Sequence, residues 1–261
     1  MKYFILLLTI LLGGCTIGIA GSKQWHTPDA PRLVTPSEVT GLVMLPPPHR
    51  RPVVAVYDFP DLTGQRNENG PTSSLSTAVT QGGTALLIDA LKNAGGGTWF
   101  TVVERNRIDN LAKERQIVRQ QRDEYEGENS TRLQPMLFAG LIVEGGIVGY
   151  DTSLTTGGVG ARYLGIGGQQ QYKKDQVIVS LRCVSTNTGE VLLNVQISKT
   201  VYSYGTDMSV FKFVDAGTDL VEFETGMTEN EANTMAVKMA IEAAVVAMIN
   251  QGVERNLWRF K

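Results

Sequence analysis

Apolar and polar positions alternate with period two through much of Gly149–Val214, as they do in strands with two unlike faces. In Val191–Tyr204 one row holds Val191, Leu193, Val195, Ile197 and Val201, interrupted by Lys199 and Ser203. The intervening row begins with Leu192, continues through Asn194, Gln196, Ser198 and Thr200, and ends in Tyr202 and Tyr204. One face is apolar, the other mostly polar. Two hairpins are expected: Asp151–Thr156 with Arg162–Gln171, and Val191–Tyr204 with Met208–Val214, the second turning near Gly205-Thr206. Val177–Val184, followed by the turn Asn187–Glu190, is expected to be a separate strand of the soluble body.

The pattern outside this stretch predicts an α/β body. Val53–Phe59 is a buried strand, closed by Pro60-Asp61 and Gly64. A polar loop follows over Arg66–Ser74. A helix from Ser76 carries Val79, Leu86, Leu87, Ala90 and Leu91 on one face, and Gly95-Gly96-Gly97 stops it. Trp99–Val103 is the next strand. Arg105–Arg122 is an amphipathic helix that should turn Ile108, Leu111, Ile117 and Val118 inward. After the polar connection Glu124–Gln134, Leu141–Val148 is a further strand. Thr228 and Glu231 have capping-box spacing ahead of a long helix, Glu231–Gln251, whose alanines suit close packing. Glu231, Lys238 and Glu242 interrupt that helix as a membrane span.

The N-terminus changes the picture. Met1-Lys2 is followed by the apolar run Phe4–Leu12, too short to span a bilayer but of signal-peptide length. It ends in Leu12-Gly13-Gly14-Cys15, which matches the bacterial lipobox. Cys15 is therefore expected to carry a covalent lipid and to begin a mature chain of 261 − 14 = 247 residues. Position 16 is Thr rather than the Asp associated with inner-membrane retention, so the outer membrane is the expected address. Thr16–Pro52, with Pro46-Pro47-Pro48 near its end, reads as an extended arm between the lipid and the body.

Composition mainly excludes. A net charge of −2 offers no basic field for nucleic acid. Besides Cys15 there is a single further cysteine, Cys183, so no disulfide framework is expected, and Cys183 reads as a small buried hydrophobe. His26 and His49 lie in Pro-rich surroundings without metal-ligand spacing, and no nucleophile set can be assembled around them. The glycines at 157–160 and 165–168 are followed by alternating residues, not by the helix a phosphate-binding loop requires. Neither enzymatic activity nor a cofactor is expected, apart from the lipid on Cys15.

A membrane β-strand needs about 9–11 residues that alternate between lipid and lumen. The two hairpins fit, and Tyr150, Tyr163, Tyr172, Tyr202, Tyr204, Phe211 and Phe213 could supply interfacial aromatics. On this reading Val195, Ile197 and Val201 face lipid, and Asn194, Gln196 and Ser198 face water. Few strands cannot cross a bilayer alone, because open edges leave backbone groups unpaired at several kcal/mol each. A membrane wall therefore implies closure through several copies. Alternation alone leaves open that these are long hairpins of a soluble sheet.

Particular residues then point to a family. Gly157–Gly167 (GGVGARYLGIG), Tyr172, Asp175-Gln176, Thr188-Gly189-Glu190, Ser198-Lys199-Thr200 and Phe211-Lys212-Phe213 resemble the CsgG family, outer-membrane lipoproteins through which curli subunits are secreted. Val103-Glu104-Arg105, Lys113-Glu114-Arg115, Val143-Glu144-Gly145, Ile249-Asn250 and Leu257-Trp258 also fit, so the resemblance covers nearly all of the mature chain. It implies a homo-oligomeric, nonameric channel. Each protomer would give two transmembrane hairpins to one large β-barrel and an α/β domain to a periplasmic vestibule. It further implies unfolded curli subunits as cargo, diffusive transport without nucleotide, a periplasmic cap factor and a surface accessory factor. The competing reading is a non-channel outer-membrane lipoprotein that helps assemble an envelope machine.

In the family the constriction loop reads Tyr-Pro-x-Ser-Asn-Phe ahead of Ser-Thr-Ala-Val. Here it reads Gly70-Pro71-Thr72-Ser73-Ser74-Leu75, then Ser76-Thr77-Ala78-Val79. Gly70 stands for Tyr, Ser74 for Asn and Leu75 for Phe, which implies a wider and less aromatic pore. The expected organisation is a signal peptide (1–14), a lipidated arm (15–52), the first part of the periplasmic domain (53–148), hairpin 1 (149–173), a periplasmic strand and turn (174–190), hairpin 2 (191–214) and a C-terminal, helical periplasmic part (215–261).

Overall fold

The structure is a computed structural model that describes residues 31, 33–64, 79–127, 131–157, 166–212, 221–229 and 233–261. The unit from Pro36 to Lys261 is built on one six-stranded sheet. Its strands are β1 (Val53–Val56), β2 (Thr101–Glu104), β3 (Leu141–Gly157), β4 (Ile166–Ser185), β5 (Val191–Lys212) and β6 (Val221–Glu229), in the spatial order β2-β1-β3-β4-β5-β6. β1 pairs in parallel with β2 and β3, and the remaining neighbours are antiparallel. The helices are α1 (Gly83–Asn93), α2 (Ile108–Tyr125) and α3 (Asn233–Glu254).

The core lies between one face of the sheet and α1 with α3. Val143, Ile147, Val177, Val179, Leu181, Cys183, Leu193 and Val195 are buried from the sheet side. Leu87 and Leu91 of α1, and Val237, Ile241, Val245, Met248 and Ile249 of α3, close on them. α3 is long and apolar enough to cross a membrane, but most of it is buried in this body. α1 ends where the sequence predicts: Gly95, Gly96 and Gly97 all take positive φ, which side chains resist. At the far end of the core Trp258 lies directly over Gly252, where an added Cβ would stand 2.1 Å from the ring, and its Nε1 donates to Ile249 O at 2.8 Å.

The arm is less free than its composition suggests. A short 3-10 turn, Glu38–Thr40, sits against α3, and Leu42 is fully buried. The carboxylate of Glu242 accepts from Ser37 N at 2.9 Å and from Thr40 Oγ1 at 3.1 Å, and it also pairs with the Lys238 ammonium. Side-chain exposure of that pair is 5% for Lys238 and 2% for Glu242, so an ion pair inside the core holds the arm. Proline-rich composition hides this, because the acceptor that anchors the arm is the Glu242 side chain, 205 residues from Ser37 in sequence.

Several boundaries differ from expectation. β5 does not turn at Gly205-Thr206. It runs on to Lys212, with Gly205 paired to Gln171 and Thr228. The second hairpin is β5 with β6, so the segment 215–261 begins with a strand before its helix. Thr228 lies in that strand and cannot cap α3, which starts at Asn233. Val177–Val184 is not a separate strand but the inner part of β4, and Asp151 pairs with Gln176 beyond the expected hairpin end. α2 buries none of its residues, and Ile117 is half exposed. Its Arg115 and Arg122 instead donate to the carbonyls of Gln134 (2.7 Å) and Thr131 in the connection to β3.

Candidate pore wall and constriction root

The structure brings together two things: strands that leave the body, and the root of the loop before α1. Within the body the sheet has one covered and one open face. The open face is polar and laced across strands: Arg182 Nε donates to Glu144 Oε1 at 3.0 Å, Gln176 Nε2 to Ser198 Oγ at 2.6 Å, and Ser180 Oγ to Asn194 Oδ1 at 3.3 Å. Val195 is 3% exposed and Ile197 packs beside it, both on the covered face. Their expected place against lipid is therefore wrong. A period-two pattern records that one face is apolar but not what covers it, and here α3 does.

Strand register carries the accounting outward. Paired positions share a face, and alternate positions oppose. In register with the helix-covered row stand Lys173, Gln171 and Gln169 of β4 and Ser203, Gly205, Asp207 and Ser209 of β5, with Val201 an exception. In register with the open polar row stand Lys174, Tyr172, Gln170 and Ile166 of β4, Tyr202, Tyr204, Thr206, Met208 and Val210 of β5, and Glu229, Met227, Thr225 and Phe223 of β6. On β5 the row that is apolar in the body becomes mostly polar beyond Lys199 and the other row mostly apolar, whereas on β4 the outer open row is mixed, with Lys174 and Gln170 on either side of Tyr172. β5, one continuous strand, thus exchanges its apolar side midway.

β3 joins this arrangement through a bulge between Ile147 and Gly149. Ile147 pairs with Val179 and Gly149 with Ile178, which leaves Val148 as the extra residue, 43% exposed. Before the bulge the covered positions are Val143 and Ile147; after it the covered position is Tyr150, opposite Val177. β1 pairs with β3 only as far as Val143, and β6 pairs with β5 only from Tyr204 outward. Among the described strands, the outer four-stranded part therefore has two open edges, along β3 and along β6.

The expected constriction residues Gly70, Pro71, Ser74 and Leu75, and the lipidation residue Cys15, lie outside the described residues. The two ends of the loop between 64 and 79 are described, and they are tied together. Beyond β1 the chain follows β3, where Ile147 N donates to Pro60 O at 3.0 Å and Leu62 N donates to Ile147 O at 2.9 Å. The Asp61 carboxylate accepts from Thr63 N (2.9 Å) and Thr63 Oγ1 (2.6 Å) on one end, and from Gln81 Nε2 (3.1 Å) on the other. Phe59 N donates to Thr84 Oγ1 at 2.9 Å.

Glycines allow this close passage. A Cβ on Gly83 would meet Phe59 O at 2.4 Å, one on Gly145 would meet Ser180 O at 2.0 Å, and one on Gly146 would meet Pro60 O at 2.8 Å. The root thus sits on β3 at Ile147, at the bulge where the strands leave the body. Sequence reasoning pointed to the loop itself and gave no role to Asp61, Gly83, Gly145 and Gly146 at its ends. The one available signal was the Gly145-Gly146 pair inside a strand pattern, which marks close backbone approach. Cys183 is fully buried, and burial pushes its thiol from 9.0 up to about 12.

Comparison with known proteins gives the family. The family model for the curli production assembly/transport component CsgG matches residues 36–261. The curli production assembly/transport component CsgG of Salmonella typhimurium is 41% identical over 260 residues, covering 98% of this chain and 90% of that protein. That of Escherichia coli is 40% identical over 260 residues with the same coverage, 98% and 90%. Among solved structures, a PelC dodecamer from Paraburkholderia phytofirmans overlays with a TM-score of 0.24 at 10% identity, over 78% of this chain and 91% of that one, too remote to carry an argument. On the family model and on identity over nearly its whole length, this chain belongs to the CsgG family.

Proposed function

We propose that this protein is an outer-membrane secretion channel that passes unfolded curli subunits from the periplasm to the cell surface. The observation that carries the reading is the exchange of the apolar side along β5, with the covered row of β4 turning polar beside it. Inside the body the apolar row needs α3. Beyond Lys199 the apolar residues of β5 lie mainly in the opposite row, on the side away from α3, and a bilayer supplies the missing apolar surroundings. The mostly polar row then faces a water-filled lumen. The open β3 and β6 edges would each leave backbone groups unpaired in hydrocarbon, so copies join edge to edge into a closed barrel, in the nonameric arrangement of the family.

The remaining parts follow from this placement. A lipid on Cys15 tethers the arm to the same membrane. The loop carrying Gly70, Pro71, Ser74 and Leu75 starts and ends at the Asp61–Ile147 root, level with the barrel's base, where a ring of such loops narrows the lumen. With Gly70 and Leu75 in place of aromatic residues, the opening is wider than the family's. Transport needs no nucleotide: the channel supplies a path, while a periplasmic cap factor and a surface accessory factor act at its two ends.

Detergent-extracted particles should appear in electron micrographs as rings with a central opening. In planar bilayers they should conduct more than a homologue that has the aromatic loop. Single cysteines at Tyr202 and Tyr204 should react with a lipid-phase probe, and those at Ser203 and Asp207 with an aqueous one. Reaction of both sets with the aqueous probe, together with absence of conductance, would reduce the protein to a non-channel envelope lipoprotein.

A further inference from the structure

The end of the sheet opposite the hairpins carries a cavity of about 720 Å³, opening where β1 and β3 begin and where β5 starts. This is within the roughly 300–1,000 Å³ typical of ligand sites. His49, Arg50, Arg51 and Arg259 line it, and no Asp or Glu does. The chain as a whole is slightly acidic, so this local excess is not a sample of the average surface. Arg51 is committed, donating to Phe100 O at 2.9 Å and Gly97 O at 2.7 Å. The side chains of Arg50 and Arg259 make no hydrogen bond or ion pair among the described residues.

The rim is held in place before any ligand arrives. Pro48 and Phe260 form a bridge, with His49 N donating to Arg259 O at 2.8 Å and Lys261 N to Pro47 O at 2.9 Å. Arg50 and Arg259 therefore stand on two apposed, hydrogen-bonded segments. Between them and β3 the lining is apolar: Phe138 is 68% exposed and Leu257 38%. Guanidinium groups on a fixed base take carboxylates in paired hydrogen bonds, and an exposed ring beside them takes an apolar side chain. A lipid headgroup fits poorly, because the cavity lies the whole length of β3 away from the hairpin tips.

We infer that this cavity is a docking site for an acidic polypeptide segment that carries an apolar side chain. Its carboxylates engage Arg50 and Arg259, and its apolar residue lies on Phe138 and Leu257. The proposed function enters only in placing this site on the periplasmic side, where polypeptide would be captured before it enters the channel.

The test titrates full-length protein in detergent micelles into a fluorescein-labelled peptide rich in Asp and Glu with one central Phe, read by anisotropy. Saturable binding at low salt is expected. It should weaken at least about tenfold in the Arg50→Glu/Arg259→Glu variant, weaken less in Arg50→Lys/Arg259→Lys, which keeps the charge but not the paired geometry, and vanish for a peptide with Lys in place of its acids. Gel filtration and circular dichroism check that the reversal variant is intact; should it misfold, Phe138→Ser with a Phe-free peptide carries the same test. Absence of saturable binding, or equal binding by the reversal variant, overturns the inference. So does a change in self-association alone, which would assign the cavity to a second copy, or binding of anionic vesicles in place of peptide. Conductance is recorded in parallel: a reversal variant that conducts normally but does not capture peptide supports both readings. Failure of the unaltered protein to conduct sinks the channel and leaves peptide capture standing.

Discussion

Replacing Glu242 with Ala removes the acid from a buried ion pair and from the anchor of the arm in one step. Lys238, whose side chain is 5% exposed, would lose the Glu242 carboxylate beside it. Breaking a buried pair on one side costs about 3–5 kcal/mol, because the remaining charge stays desolvated. Ser37 N and Thr40 Oγ1 also lose a charged acceptor, worth about 1.5–3 kcal/mol for each hydrogen bond, overlapping with the first figure and not additive with it. A loss of about 4 kcal/mol is therefore expected, a large part of the roughly 5–15 kcal/mol that stabilises a domain. Pulse proteolysis across a urea series, on protein in micelles, reads the loss as a lowered midpoint. Mass spectrometry of the fragments should show new cleavage within Val39–Met44. The double variant Lys238→Met/Glu242→Leu separates the two effects. With no charge left buried it should recover most of the stability, since apolar replacement of a buried pair is often neutral. It should keep the new cleavage, because the arm still lacks its acceptor. An unchanged midpoint for Glu242→Ala, or a double variant as unstable as the single, would refute this account.

Three further outcomes are expected. Gly252→Ala should destabilise by about 1–3 kcal/mol through overpacking against Trp258, seen as a lower thermal midpoint. Asp61→Ala should leave the fold intact but unfasten the two loop ends, giving single-channel records with broader conductance than the unaltered protein. The Cys183 thiol should resist alkylation at pH 8 until urea unfolds the chain. Because its folded value of about 12 lies above the unfolded 9.0, the unfolded state ionises first, and stability is complete below pH 9 and declines as pH rises towards 12.

Much of this fold is legible in the chain itself. The strand at Val53, the stop at Gly95–Gly97 and the long C-terminal helix follow from apolar period and from glycine. The alternation of Val191–Tyr204 is legible as well, but its meaning changes along its length, and a one-dimensional pattern cannot separate a helix cover from a lipid cover. The supposed turn at Gly205-Thr206 failed because glycine and threonine also occur at paired strand positions, and β4 and β6 supply both partners here. α2 has an amphipathic pattern yet packs nothing beneath it in one copy, since its arginines hold the connection to β3 instead. Of the candidate site, the sequence singles out the loop by its match to the family pattern, and that loop lies outside the described residues. Its root was not legible, because Asp61, Gln81 and Ile147 meet only through tertiary pairing.

The crossing of apolar sides at Lys199 sets a counting rule for the growth of such a wall. In the proposed channel one strand serves two environments in opposite phase, and that phase is fixed by parity. A single residue inserted between Val195 and Tyr202 would turn every outer side chain of β5 to the wrong side, whereas two residues would leave the phase untouched and lengthen the wall by one pleat. Relatives that differ in wall height should therefore differ by even numbers in β4 and β5. An odd change is tolerable only where a compensating bulge absorbs it, as Val148 does in β3.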